Sequence, residues 1–194
     1  MIQNLDTHVG RIVAAIDAAG LAQNTLVVFA SDNGGTRSAR PTGLRDNKGT
    51  TFEGGIRVPC IARWPGVLPE GRDYVHPAMT FDLTASFARI AGVKPPAERA
   101  FEGIDLLHAV ENGVPPPKRL LFWRGRRADF TWRAVRDGDL KYVSYQQGAT
   151  LREWLFDVQH DPAEQVDLLA QRADVVAQIK SQLATWEADV RAMR

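Results

Sequence analysis

With 24 Lys and Arg against 23 Asp and Glu in 194 residues, the chain has a formal charge of +1, too small for the electrostatic footprint of a nucleic-acid-binding protein. Its 44% of hydrophobic residues suffices for one substantial core, or one core with a small satellite layer, and no run approaches a membrane span. One cysteine excludes an internal disulfide framework, and the absence of a secretory signal in the sequence leaves the compartment open.

Val9, Ile12, Val13 and Ile16 recur at helical spacing. Gly20 is placed to end that helix, with Leu21 making the contact that often follows a glycine cap. Residues 26–30 are a short apolar run between a helix and a Gly-rich loop, which predicts a buried parallel strand. Asp32 and Asn33 then fall at its C-terminal end, where open α/β sheets place their ligands. Residues 38–51 carry no periodicity and read as an active-site loop. Residues 56–64 predict a short edge strand broken by Pro59. Leu83, Phe87, Ile90 and Ala91 mark a second helix that stops near Gly92, and residues 113–117 read as a linker.

Beyond the linker, strands are expected over 120–123, 130–135, 140–145 and 154–158. The Asp137-Gly138 pair is the chemical reason for a tight turn between the second and third. Asp161-Pro162-Ala163-Glu164 reads as a helix start, with a cap, a proline at the first helical position and a glutamate at the third. Val176, Ile179, Leu183, Trp186 and Val190 form a stripe expected to pack on the small sheet. The outcome is an α/β part over 1–113 and an antiparallel-sheet part with a C-terminal helix over 118–194. One clear central strand is few for an α/β domain. The rest of its sheet is therefore expected upstream, in a longer protein; the alternative is a small domain with weakly coded strands.

Asp32 and Asn33 offer a carboxylate and an amide oxygen, hard ligands of the kind that suit Ca²⁺ or Mg²⁺, although Asp-Asn-Gly is also a common turn. Lys48 is a compact point charge able to bind a sulfate or phosphate oxygen and to stabilise charge on a leaving group. Its bland counterpart is a solvated loop lysine. Arg45 suits either the same work or a structural ion pair. Glu53 and Arg57 flank Gly54-Gly55 at a spacing that allows mutual pairing and bracing of the loop. Cys60 lies among Val58, Pro59, Ile61 and Ala62, where a thiol reads as a small hydrophobe, not a nucleophile. His8, His76, His108 and His160 form no zinc-ligand spacing. Arg124, Arg126 and Arg127 read as a solvated hairpin, or as cations near an anionic substrate.

Asn24-Thr25-Leu26-Val27-Val28-Phe29-Ala30-Ser31-Asp32-Asn33-Gly34, the run from Gly43 through Lys48-Gly49 and Glu53-Gly54-Gly55-Ile56-Arg57-Val58-Pro59, and Arg63-Trp64-Pro65-Gly66 resemble the type I sulfatase family, the arylsulfatase-like branch of the alkaline phosphatase superfamily. Later echoes are Ala134-Val135-Arg136-Asp137-Gly138-Asp139-Leu140-Lys141-Tyr142 and Leu155-Phe156-Asp157 through Asp161-Pro162-Ala163-Glu164 to Leu168. The resemblance implies the C-terminal part of an alkaline-phosphatase-like α/β/α sandwich, followed by a small antiparallel sheet on a C-terminal helix. It implies that Asp32 and Asn33 are calcium ligands, that Lys48 contacts the sulfate ester, and that residues 53–59, with Glu53 and Arg57, support the loop; Arg45 stands as a further substrate-binding candidate on its residue type alone.

The family's nucleophile is a formylglycine made from a Cys/Ser-x-Pro-x-Arg motif. Cys60, followed by Ile61-Ala62-Arg63, does not match it. The expectation is therefore a C-terminal fragment of a sulfuric ester hydrolase, its nucleophile supplied from a missing N-terminal region. Such a fragment would be inactive alone, with calcium bound weakly or not at all. The substrate would be an aryl or carbohydrate sulfate ester. The alternatives are a non-catalytic remnant or interaction module, and a phosphonate or phosphate monoester hydrolase of the same superfamily. Family members are often periplasmic, secreted or lysosomal; the oligomeric state is left open.

Overall fold

Helix α1 spans Ile2–Ala18. It ends where the sequence places the stop. Gly20 adopts φ 70°, the Leu21 N–H donates to Ile16 O at 3.1 Å, and the Gly20 N–H donates to Asp17 O at 3.0 Å. This is the paired bonding of a left-handed glycine cap. The computed structural model describes residues 2–38, 43–98 and 100–192. Two units are formed: Met1–Ala30 with Pro59–Pro117, and Ser31–Val58 with Lys118–Arg194.

In the first unit, β1 (Val27–Ala30) pairs with β2 (Cys60–Arg63) in an antiparallel ribbon, with Val27 opposite Arg63 and Ala30 opposite Cys60. The expected buried parallel strand is thus corrected. The only hydrogen-bonded neighbour of β1 among the described residues returns in the opposite direction, and no β1 residue is fully buried. The Arg63 guanidinium reaches Asp17 Oδ1 at 2.8 Å, and the Trp64 indole N–H donates to Gln23 O at 2.8 Å.

Helix α3 (Thr80–Ile90) buries Asp82, Ala85 and Ser86 and leaves Phe87 and Ile90 exposed. Its inward face is polar because every group there has work. The Asp82 carboxylate accepts from the Met79 and Ile104 N–H groups at 2.7 and 3.0 Å. The Ser86 hydroxyl donates to Asp82 O and accepts from the Leu107 N–H. Buried polar atoms with partners cost little. A short helix, α4 (Leu106–Asn112), takes up the stretch before the expected linker. Asp105 caps its start by accepting from the His108 N–H, and Gly113 closes it in the left-handed region.

The second unit is built on a four-stranded antiparallel meander: β3 (Leu120–Arg127), β4 (Phe130–Asp137), β5 (Leu140–Gln147) and β6 (Thr150–Asp157). Each connection is two residues long. Gly138, at φ 59°, supplies the conformation that the β4–β5 turn demands. Alternation divides the sheet into two faces. Helix α5 (Ala173–Ala192) covers one of them, where Ile179 and Leu183 close on Val135, Tyr142 and Leu155. Lys180 of α5 also reaches Glu153 at 2.6 Å, and Glu153 accepts the Tyr142 phenol. On the opposite face Phe52 packs with Ala134, Val143 and Phe156. Its ring centroid lies 5.4 Å from Trp132 and 5.3 Å from Trp154, both edge-on.

Three expectations change here. Residues 31–58, expected with the first part, belong to the sheet's unit. The helix start at Asp161 is a turn instead: Asp161 Oδ2 accepts the N–H groups of Gln165 and Val166, Glu164 sits at φ 54°, and α5 begins only at Ala173. Glu164 does not cap because its carboxylate is drawn into the interior. Finally, the helix-and-strand organisation runs from α1 to α5 through the described chain. The confinement of the fold to the C-terminal part of a sandwich is therefore not retained.

Candidate oxyanion-binding loop

The loop from Ser31 to Val58 is held by its own backbone before any side chain matters. The Gly34 N–H donates to Gly55 O at 2.9 Å, the Lys48 N–H to Gly35 O at 2.8 Å, and the Gly54 N–H to Arg45 O at 2.8 Å. The segments that carry Asp32 and Asn33, Arg45 and Lys48, and the four-residue helix α2 (Glu53–Ile56) thus form one bonded body. Glycine is required by the closeness of approach. A Cβ on Gly34 would lie 1.9 Å from Gly54 O, and one on Gly54 would lie 2.2 Å from Asp46 O.

Lys48 is exposed and its ammonium makes no ion pair among the described residues. Asp32 is exposed and Asn33 half-buried; the Asn33 carbonyl accepts from Ser31 Oγ at 2.9 Å. Arg45 is engaged. Its Nη1 donates to Glu164 O at 2.8 Å, and its guanidinium lies 4.2 Å from the Phe52 ring centroid. It also borders an open depression of about 520 Å³ lined by Gly43, Leu44, Ala163, Glu164 and Gln165. Arg57 Nη1 stands 3.6 Å from Glu53 Oε2, with the arginine side chain exposed and the glutamate buried. A half-exposed contact of this length contributes little energy by itself.

Glu53 is held chiefly from inside, by residues that the sequence reading did not single out. Lys141 of β5 is 0% exposed, and its Nζ lies 2.7 Å from Glu53 Oε1 and 2.9 Å from Glu164 Oε1. The Glu53 N–H donates to Glu164 Oε2 at 2.7 Å. Burial pushes the Glu164 carboxyl up from its ordinary value, opposed by the Lys141 charge. The sequence marks this cluster only faintly: Lys141 is the one charged residue of β5, and Glu164 imitates a helix cap.

Cys60 lies on β2, in the first unit, and is exposed, not packed as a core hydrophobe; partial desolvation still pushes its thiol up, away from the reactive thiolate. His8, His76 and His108 are exposed, and exposed His160 pairs with Asp157. Arg124 and Arg133 both reach Glu187 of α5, at 3.3 and 2.8 Å, while Arg126 and Arg127 are exposed. Among the described residues, no group of three or more His, Cys, Asp or Glu is arranged to hold a metal ion. Asp32 and Asn33 are hard oxygen donors in type, but two fall short of the roughly six to eight that calcium takes.

Residues 1–93 match the model of the Sulfatase family. The likeness is to sulfatases. The chain is 41% identical over 116 residues to the steryl-sulfatase of Mus musculus, a match covering 55% of this chain and 19% of that protein. The crystal structure of Ps i-CgsB is 28% identical with a TM-score of 0.86, covering 96% of this chain and 41% of that one. The phosphonate monoester hydrolase of Agrobacterium radiobacter is 26% identical with a TM-score of 0.75, covering 97% of this chain and 40% of that one.

The chain therefore spans about a fifth of the matched steryl-sulfatase and about two fifths of each structure. The sulfatase-like fold itself takes in nearly the whole chain. This overturns the expectation of a likeness limited to a C-terminal portion. The expectation of a hydrolase fragment defined by a missing N-terminal region is replaced by a coarser statement: the likeness is to a sulfatase-like domain. No helix among the described residues is long and apolar enough to cross a membrane.

Proposed function

We propose that the chain acts in the hydrolysis of a sulfuric ester, aryl or carbohydrate, and that loop 31–58 receives the ester's sulfate. One observation carries this reading: the ammonium-bearing Lys48, exposed and unpaired among the described residues, is tied by its own N–H to Gly35, two residues beyond Asn33. The ester's non-bridging oxygens carry negative charge, and more develops on the bridging oxygen as the S–O bond breaks. A positive point charge carried on a backbone-bonded segment stabilises that charge. Arg45 adds a second cation near the same segment, held by Glu164 and the Phe52 ring. Glu53 and Arg57 act through the loop's position.

Asp32 and Asn33 are proposed as two of the oxygen ligands of a calcium ion, which when bound would supply Lewis-acid stabilisation of the sulfate. As their number falls short of a calcium shell, no step is assigned to the ion. Attack on sulfur is assigned to no residue of this chain, since Cys60 lacks the Cys/Ser-x-Pro-x-Arg setting.

A second reading, phosphonate monoester hydrolysis, is supported by the 26% likeness to a phosphonate monoester hydrolase. A lysine point charge does not by itself discriminate sulfate from phosphonate. The two readings separate when the protein is titrated with an aryl sulfate and with an aryl phosphonate, following the Lys48 Nζ resonance by NMR. The sulfate ester should perturb it at lower concentration. In any turnover measured, Lys48→Ala should lower the rate by about 10²–10³ and leave the melting temperature unchanged. A Lys48 resonance indifferent to both esters removes the function proposed; a preference for the phosphonate transfers it to the second reading.

A further inference from the structure

Lysine is almost never fully buried unless it is paired, and Lys141 is paired twice, against carboxylates from two distant segments. Glu53 is 88 residues away in sequence and begins α2. Glu164 lies in the turn after β6. Glu53 and Glu164 also meet each other directly, N–H to carboxylate, across 111 residues. The contact between Lys141 and Glu164 Oε1 is a close ion pair, not an aligned hydrogen bond.

Such a cluster is a poor route to stability alone, because well-packed apolar side chains of similar volume commonly do as well. What a buried ion cluster adds is a fixed geometry at both ends. One end is the rigid sheet. The other is α2, whose Gly55 carbonyl holds Gly34 and whose Gly54 N–H holds Arg45. The Lys48 N–H then closes the body onto Gly35. Displacing Glu53 would therefore move the segment bearing Asp32 and Asn33 and the segment bearing Lys48 together.

We propose that Lys141 and Glu164 are positioning residues for the oxyanion site. They set the place of the Lys48 ammonium through Glu53 and α2 without touching the ester. Arg45 is included in the same arrangement, because its guanidinium donates to the main chain of Glu164. The inference rests on the sulfuric ester reading for its consequence, and on the backbone bonds alone for its mechanism.

The experiment has two arms on the same variants: Lys141→Met, the milder Glu164→Gln, and Leu183→Ala as a control. Glu164→Gln keeps an acceptor for the Glu53 N–H and covers the case in which Lys141→Met does not fold. Leu183 packs on the other face of the sheet, so its truncation destabilises the same unit without touching the cluster. The first arm, without ligand, reads amide hydrogen exchange at Gly34, Lys48 and Gly54. Protection should fall in the two cluster variants more than in the control, once each is compared at equal global stability. The second arm titrates an aryl sulfate against the Lys48 Nζ resonance. Affinity should drop about tenfold or more in the cluster variants and stay at the parent value in Leu183→Ala.

Unchanged protection in both cluster variants overturns the proposal. So does a control that loses affinity as they do, since the effect would then be one of stability only. Protection lost in the variants, with no binding by the parent, overturns the sulfuric ester reading instead and leaves the bracing intact.

Discussion

Gly34 and Gly125 differ only in what surrounds a missing methyl group. At Gly34 a Cβ would meet the Gly54 carbonyl oxygen at 1.9 Å, whereas at Gly125, on β3, it meets nothing within 4 Å. Gly34→Ala must push two backbone segments apart and break the bond to Gly55, so it should cost about 1–3 kcal/mol or more. Gly125→Ala should stay within about 0.5 kcal/mol of the parent. Paired thermal melts check this, and equal melting temperatures would mean that the loop is looser than its geometry. A second residue-scale outcome concerns His160, whose Nδ1 lies 2.9 Å from Asp157 Oδ2. This bond, reinforced by the carboxylate's charge, holds the imidazole pKa above its ordinary value. The same bond is the first cause holding Asp157 below the usual carboxylate value. A raised histidine contributes fully below its unfolded value and loses that contribution as pH rises through the folded one. A lowered aspartate contributes above its unfolded value and loses it as pH falls through the folded one. The pair therefore contributes fully between about pH 4 and pH 6.5. An NMR titration should find His160 titrating late in the parent and earlier in Asp157→Asn, where only Asp139 still raises it.

Helix α5 depends on a narrow apolar stripe, and its two most buried apolar side chains, Ile179 and Leu183, sit opposite the middle of the sheet. Leu183→Ala should cost about 2–5 kcal/mol, and chemical denaturation followed by tryptophan fluorescence will read it. A loss below about 1 kcal/mol would mean that the helix is held mainly by Glu187, which takes Arg133 and Arg124 from the sheet, and by Lys180. This stripe was legible in the sequence because helical periodicity records a single buried face. The β4–β5 turn was legible because Asp-Gly states its backbone conformation outright. The direction of β1 was not legible. An apolar tetrapeptide carries no information about the sense of its neighbour, and β2 pairs with it only after an excursion of 29 residues, 31–59. Nor was the turn at Glu164, where a glutamate three residues after an aspartate satisfies the pattern of a cap but spends its carboxylate on Lys141. In the loop, Lys48, Asp32 and Asn33 stood out by type and position. Lys141 did not, because a strand lysine is ordinarily read as solvent-facing, and only the fold reveals which face is covered.

At the scale of the whole molecule, loop 31–58 shares a unit with residues 118–194, and not with the helices and ribbon that flank it in sequence. Its resistance to opening should follow the sheet. In native-state hydrogen exchange, Gly34, Gly54 and Gly55 should exchange with the slow amides of β4 and β5. A loop that instead exchanges with α1, whose residues are all exposed or half-buried, would break that grouping.

The separation between Glu53 and Glu164 also has a temporal meaning. Their bond spans 111 residues, and a chain emerges from the ribosome at roughly 5–20 residues per second. The loop's glutamate is therefore made some 5–20 seconds before the partner that will hold it. Until β4 and β5 are made Phe52 has no sheet to cover it, and contacts of such long range are slow to close. Phe52 and Glu53, held on both sides in the finished loop, thus wait unprotected during biogenesis, open to nascent-chain proteolysis and to chaperones that recognise apolar side chains.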